Sequence, residues 1–169
     1  MSTVPRAARP GERAVPSGRI GVAEGVRLSL AIRATPEATR EAVAAVRGIM
    51  ARAGAAPGLL FRVELALAEV LNNIGEHAYG GAGGRVWLKA GMEGDALCVT
   101  IADRGRPMPG NEMPEGALPD MDVPCEVQPE GGFGWSIIRD LVQDLTYQRD
   151  GTRNEITFGL NLAELEDSQ

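Results

Sequence analysis

One carboxylate follows directly on a strand-like run of residues. Leu97, Val99 and Ile101 occupy every second position, and Asp103 comes next, with Gly105 after it. An aspartate in this setting is most often part of a simple turn. It can also be a buried carboxylate that accepts hydrogen bonds from the amine of a ligand. Asp103 is therefore a candidate for binding an amino group.

Glycines gather farther along the chain, at the start of a predicted helix. Gly131, Gly132 and Gly134 precede the apolar pair Ile137 and Ile138. Glycines at such a place let a phosphate come close to the backbone, where free N–H groups and the helix dipole favour an anion. They also serve in plain turns, so the pattern alone is weak. The sequence contains no GxxxxGK[ST] pattern, which excludes a P-loop.

A polar stripe runs along the longest predicted helix. Glu69 and Asn73 lie four residues apart, which places their side chains one turn above the other on one face. Glu76 and His77 continue the stripe. Polar stripes opposite apolar ones usually face solvent, so this feature decides nothing without the others.

Hydrophobic periodicity predicts the elements that must position these residues. Apolar residues at every second position indicate strands, and spacings of three and four indicate helices. The predicted order is a strand from Val26 to Ile32, a helix capped by Thr35 and reaching about Ala53, a helix from Leu59 to Tyr79, a hairpin over Val86–Ala90 and Leu97–Ile101, a helix from Gly132 to Leu141, and strands at Leu145–Gln148 and Glu155–Leu160. This order favours an α+β fold with a mostly antiparallel sheet covered on one face by helices.

A proline-rich segment from Met108 to Glu130 separates the hairpin from the third helix. The recurring prolines exclude a long helix or a central strand, so the segment is either a functional lid or disordered. It carries six acidic residues and no Lys or Arg. Those charges would oppose closure over a phosphate unless they face solvent or a partner.

Length and charge set the remaining limits. The 169 residues carry 17 Lys plus Arg against 23 Asp plus Glu, a net charge of −6. They predict one domain over residues 26–161, with a flexible arm at 1–25 and an acidic tail at 162–169. We expect no membrane span, no direct nucleic-acid binding and a cytoplasmic location. Cys98, Cys125 and the lone His77 cannot form a Cys/His zinc site, and neither cysteine has an activating partner.

Taken together in this order and spacing, the motifs resemble the GHKL ATPase superfamily and its Bergerat fold. The matching pieces, over residues 26–161, are Glu69-Val70-Leu71-Asn72-Asn73 with His77-Ala78-Tyr79, then Asp103-Arg104-Gly105-Arg106-Pro107, then Gly131-Gly132-Phe133-Gly134-Trp135, and finally Asn154-Glu155-Ile156-Thr157. Within the superfamily they are similar to the bacterial anti-sigma-factor serine/threonine kinases. The resemblance implies ATP and Mg²⁺ as ligands and a long nucleotide lid.

At the base-binding end, the resemblance implies that Asp103 accepts the adenine amino group and that Gly105 leaves room for the base. It implies that Thr157, on the last strand, supports the same contact through its hydroxyl. Arg104 and Arg106 are lesser candidates for neutralising phosphate charge.

At the phosphate end, the resemblance implies that Asn73 binds Mg²⁺ through its side-chain oxygen, a hard ligand for a hard cation. Asn73 is chosen over Asn72 because only Asn73 shares a helix face with Glu69. Gly132 and Gly134 would cradle the phosphates, and Glu69 would act as the general base toward a serine or threonine hydroxyl.

The resemblance implies a protein kinase that phosphorylates a STAS-domain anti-sigma-factor antagonist and sequesters a sigma factor, as a homodimer. Two alternatives remain. The acidic lid motivates a protein-binding regulatory module without catalysis, although the pair Glu69 and Asn73 argues for chemistry. The catalytic half of a sensor histidine kinase would need an upstream phosphoacceptor domain, and residues 1–25 do not provide one.

Overall fold

A computed structural model describes residues 27–93, 96–114 and 133–161. The predicted arm, the acidic tail, Gly132, Cys125 and most of the predicted lid lie outside the described residues. None of the described helices combines the length and the apolar composition that a membrane crossing requires.

The strands form one antiparallel sheet of five. They are β1 (Arg27–Arg33), β2 (Arg85–Glu93), β3 (Ala96–Asp103), β4 (Gln143–Asp150) and β5 (Arg153–Asn161). Their order across the sheet is β1-β2-β3-β5-β4. Every pair of neighbouring strands is antiparallel, as the α+β prediction requires.

Three helices cover one face of this sheet. They are α1 (Pro36–Arg52), α2 (Pro57–Asn73) and α3 (Phe133–Leu141). The alternating apolar side chains of the strands pack against them in a single core that includes Val46, Leu67, Leu88, Ile101 and Ile156. Burying each such side chain contributes about 1.5–3 kcal/mol. The predicted architecture, a sheet with helices on one face, is confirmed.

The start of α1 confirms the prediction, and the start of α2 differs from it by two residues. Thr35 caps α1, since its hydroxyl accepts a hydrogen bond from the backbone of Ala38 at 3.4 Å. The second helix begins at Pro57, two residues before the predicted Leu59, because proline fits the first helical turn.

The end of the second helix also differs from a regular α-helix. From Ile74 to Ala78 the chain continues as one π-helical turn. Short π-helical stretches inside α-helices are frequent at functional sites. Here the wide turn follows directly on Asn73, at the end of the sheet where Asp103 lies.

Candidate functional site

A cavity of about 240 Å³ lies between the end of α2, the ends of β3 and β5, and the segment 103–114. Its walls are mostly apolar, with a few polar side chains among them. The lining residues are Asn73, Ile74, His77, Ala78, Asp103, Arg106, Pro107, Met108, Pro109, Pro114, Trp135, Tyr147, Asn154 and Ile156. A small ligand with an apolar body and a few polar groups suits a cavity of this composition.

Asp103 is the buried carboxylate of this cavity, with 3% of its surface exposed. It is the last residue of β3, and its side chain lies on the face that the helices cover, where its neighbours are apolar. Its Oδ1 accepts hydrogen bonds from the Gly105 backbone at 2.7 Å and from Asn154 Nδ2 at 2.8 Å. Burial raises the pKa of Asp103, and these hydrogen bonds together with Arg149 offset part of that rise. Asp103 therefore presents a buried hydrogen-bond acceptor in the wall of the cavity.

Asn154 is the site residue that sequence reasoning missed. It is 3% exposed, and strand pairing sets it directly opposite Asp103. Its Oδ1 accepts hydrogen bonds from the Tyr147 hydroxyl at 2.9 Å and from Arg149 Nη1. The sequence carried a signal for it. Asn154 shares the alternation of Ile156, Phe158 and Leu160, which puts an amide on the core face of a strand.

Thr157 is not brought to the cavity, against the expectation from the resemblance. It lies one position out of phase with Asn154 and Ile156, so its side chain is on the open face of the sheet. Its hydroxyl is 2.5 Å from that of Thr146 on β4. Asn154 occupies the place on the last strand that was expected for Thr157.

Gly105 lies two residues after Asp103, and it packs closely against the backbone of Ala78. A Cβ on Gly105 would lie 2.5 Å from the backbone oxygen of Ala78 and 2.7 Å from its Cβ. The next residue, Arg106, donates its backbone N–H to the same Ala78 oxygen at 2.9 Å. Gly105 is therefore required by the close packing of this loop on the π-helical turn, a reason different from the expected room for a base.

The two arginines beside Gly105 diverge. Arg106 lines the cavity. Arg104 turns the other way, with its guanidinium 5.5 Å from the centre of the Trp87 ring. Because Trp87 is on the open face of the sheet, the structure does not bring the Arg104 guanidinium to the cavity.

Glu69, Asn73 and Gly134 meet at the start of α3. A Cβ on Gly134 would lie 3.0 Å from Glu69 Oε2 and 3.4 Å from Asn73 Nδ2. An added side chain at Gly134 would therefore crowd Glu69 Oε2, which would have to shift by a few tenths of an ångström. The Asn73 Nδ2 is buried and has no hydrogen-bond partner within the described part of the chain.

This group fits a magnesium ion bound together with phosphates. A buried amide without a partner in the described part of the chain is a group that a ligand can complete, and an amide oxygen is a ligand that Mg²⁺ accepts. The two ends of an amide are interchangeable by rotation about the side chain, so either can face the cavity. Gly132, expected to cradle the phosphates with Gly134, lies outside the described residues.

Hydrogen bonds attach the described start of the predicted lid, residues 108–114, to α3 and to β4. Arg139 donates from Nη2 and Nε to the Pro114 oxygen, at 3.0 and 3.3 Å. Met108 donates its N–H to the Tyr147 hydroxyl at 3.2 Å. A 3₁₀ turn over Pro109–Asn111 lies between these two attachments. The predicted absence of a long helix or a strand agrees with residues 108–114, the part of the segment that is described.

Cys98 alternates with the buried residues of β3, as predicted, and lies on the open face. Burial and the nearby Glu93 raise the pKa of its thiol. The thiolate is disfavoured there, which agrees with the expectation that Cys98 is not a nucleophile.

Residues 32–160 match the histidine kinase-like ATPase domain family. Two relatives are the proteins named serine-protein kinase RsbW from Bacillus cereus (strain ATCC 10987 / NRS 248) and Bacillus thuringiensis subsp. konkukian (strain 97-27). Each is 30% identical over 118 residues, which cover 67% of this chain and 74% of the relative.

The solved structure of the RsbU and RsbW domains of Rv1364c from Mycobacterium tuberculosis has the same fold, with a TM-score of 0.57 at 20% identity. The match covers 81% of this chain and 32% of that longer one. From the family match, the RsbW relatives and the shared fold it follows that the chain belongs to the histidine kinase-like ATPase domain family of the GHKL superfamily, in the branch of the anti-sigma-factor kinases.

Proposed function

We propose that this protein is an ATP-dependent serine/threonine protein kinase. The observation that carries the proposal is the placement of two sites around one cavity. Asp103 offers a buried acceptor for a base amine in the wall of the cavity, Asn73 lines the same cavity, and Glu69 meets Asn73 beside Gly134 at the start of α3. A nucleotide bound with its base on Asp103 would reach the second site with its phosphates.

The transfer step assigns a role to Glu69. Its carboxylate would accept the proton of a serine or threonine hydroxyl on the partner protein, and the hydroxyl oxygen would attack the γ-phosphorus. The bond from that phosphorus to the bridging oxygen breaks, and ADP leaves with the electron pair. Asn73 would hold Mg²⁺, which neutralises phosphate charge when it is bound. Arg106 would add a further cation at the edge of the cavity.

The acceptor we propose is a STAS-domain anti-sigma-factor antagonist, and we propose a sigma factor as the second partner. The family of the chain and its RsbW relatives support this choice. A phosphate on the antagonist would add charge and loosen its complex with the kinase, which would free the kinase to hold the sigma factor. We propose that the protein works as a homodimer in the cytoplasm.

The test is transfer of labelled γ-phosphate from ATP to purified STAS-domain antagonists, with the unmodified chain and with Glu69→Gln. The glutamine variant keeps the shape of the site but cannot take the proton, so we expect it to bind nucleotide normally and transfer at least about 100-fold more slowly. Equal transfer by both would remove Glu69 from the mechanism. Nucleotide binding without transfer to any STAS-domain protein would leave the protein-binding module as the function.

A further inference from the structure

Both the nitrogen and the oxygen of the Asn154 side-chain amide form hydrogen bonds within the protein. Its Nδ2 donates to Asp103 Oδ1 at 2.8 Å and to the Arg106 oxygen at 3.1 Å. Its Oδ1 accepts from Arg149 and from the Tyr147 hydroxyl. A guanidinium only donates, so the oxygen of the amide must face Arg149 and the nitrogen must face Asp103. The orientation of the amide is therefore determined by its neighbours.

This orientation determines how Asp103 is presented to the cavity. Both hydrogen bonds that Asp103 accepts within the described part of the chain end on Oδ1, one from Asn154 and one from the Gly105 backbone. With Oδ1 held by two donors, the other carboxylate oxygen remains for a ligand. A carboxylate oxygen can only accept, so it binds an amino group and repels a carbonyl oxygen.

We infer that Asn154 is a positioning residue for base recognition, which holds Asp103 so that its second oxygen selects a 6-amino purine over a 6-oxo purine. The inference rests on the proposed function only in taking an adenine nucleotide as the ligand. Tyr147 and Arg149 act behind Asn154 by fixing its amide. The Tyr147 hydroxyl also accepts from the Met108 N–H, so the same network holds the chain that follows Asp103.

The experiment is calorimetric titration with ADP and with IDP, which differ at the 6-position of the purine. We expect the unmodified chain to prefer ADP by more than about tenfold, because a site built around a hydrogen bond rejects the analogue that cannot make it. Asn154→Ala should weaken ADP binding by about tenfold and leave IDP binding within about twofold, so that the preference collapses.

Tyr147→Phe and Thr146→Ala complete the design. The phenylalanine variant keeps the ring in the cavity and loses only the hydroxyl, so it should reduce the preference for ADP by about threefold. Thr146→Ala removes one hydrogen bond on the open face of the sheet and should leave both affinities unchanged. If Asn154→Ala fails to fold, the ratio of ADP to IDP affinity in Tyr147→Phe tests the inference.

The results separate a positioning role from a structural one. ADP and IDP affinities that fall in parallel in the variants, or an unmodified chain that does not prefer ADP, would overturn the inference. Failure to bind either nucleotide would overturn it together with the proposed kinase. A preference that collapses in the variants while no phosphate transfer is found would support the inference and remove only the kinase.

Discussion

Asn154 lies directly opposite Asp103 in the pairing of β5 with β3, and its amide nitrogen donates to the Asp103 carboxylate at 2.8 Å. The two residues are 51 positions apart in the chain. They form a buried polar pair at the end of two strands whose other inward side chains are apolar. A polar pair in such a place must be satisfied internally, which explains the network of hydrogen bonds around it.

Asp103→Asn should strongly weaken nucleotide binding without unfolding the protein. The amide oxygen can still accept from Asn154 and from Gly105, but the second position becomes a donor that opposes the donor on adenine. We expect ADP affinity to fall by about 100-fold in calorimetric titration, with an unchanged circular dichroism spectrum. Retained affinity would show that the base does not lie against Asp103.

The pH dependence of nucleotide binding should report the pKa of Asp103. Burial raises this pKa above the ordinary aspartate value. Protonation removes the acceptor, so ADP binding should weaken as the pH falls through the raised pKa, at a higher pH than an ordinary aspartate would give. Affinity measured from pH 7 down to pH 4 checks this. A profile that stays flat over that range would contradict it.

The raised pKa of Asp103 also makes folding stability depend on pH, in the direction opposite to that of nucleotide binding. Because the folded state raises the pKa, the favourable contribution of protonated Asp103 is complete below the ordinary aspartate value and is lost as the pH rises through the raised value. Relative to Asp103→Asn, the unmodified chain should therefore lose stability over that window. Urea unfolding of both proteins from pH 4 to pH 7 measures the difference.

Gly105→Ala should destabilise the protein by about 1–3 kcal/mol, because the new Cβ collides with backbone atoms that cannot move aside. The collision is with Ala78, whose oxygen would be 2.5 Å away. Gly48→Ala is the matched control. Gly48 lies inside α1, where the nearest atom to an added Cβ is the end of the Arg52 side chain at 3.5 Å. The free energy of unfolding of that variant, measured with urea, should be higher by about 0.5–1 kcal/mol.

Arg106→Ala and Arg104→Ala should have different effects on ADP affinity, although the two residues flank the same glycine. Arg106 lines the cavity, so its loss should weaken ADP binding by about threefold to tenfold, and by less at high salt. Arg104 contacts Trp87 on the open face, so its loss should leave ADP affinity within about twofold. Titrations at two salt concentrations test both. Equal effects would mean that Arg104 also reaches the ligand.

Local sequence was sufficient for most of the elements. Helical and strand periodicity are properties of neighbouring residues, which is why the hairpin, the α1 cap at Thr35 and the polar face shared by Glu69 and Asn73 were predictable. The position of Asp103 at a strand end followed from the same alternation. Parity along β5 could also have excluded Thr157, since it is out of phase with Ile156 and Phe158.

By itself the sequence determined the order of elements and the types of polar residue that could bind a nucleotide. Only the tertiary structure decided which of them meet. Asn154 faces Asp103 because the register of two distant strands puts it there, and the Arg104 guanidinium lies over Trp87 on the other face of the sheet. Register and face are set by pairing and packing between segments far apart in the chain, and no local pattern encodes them.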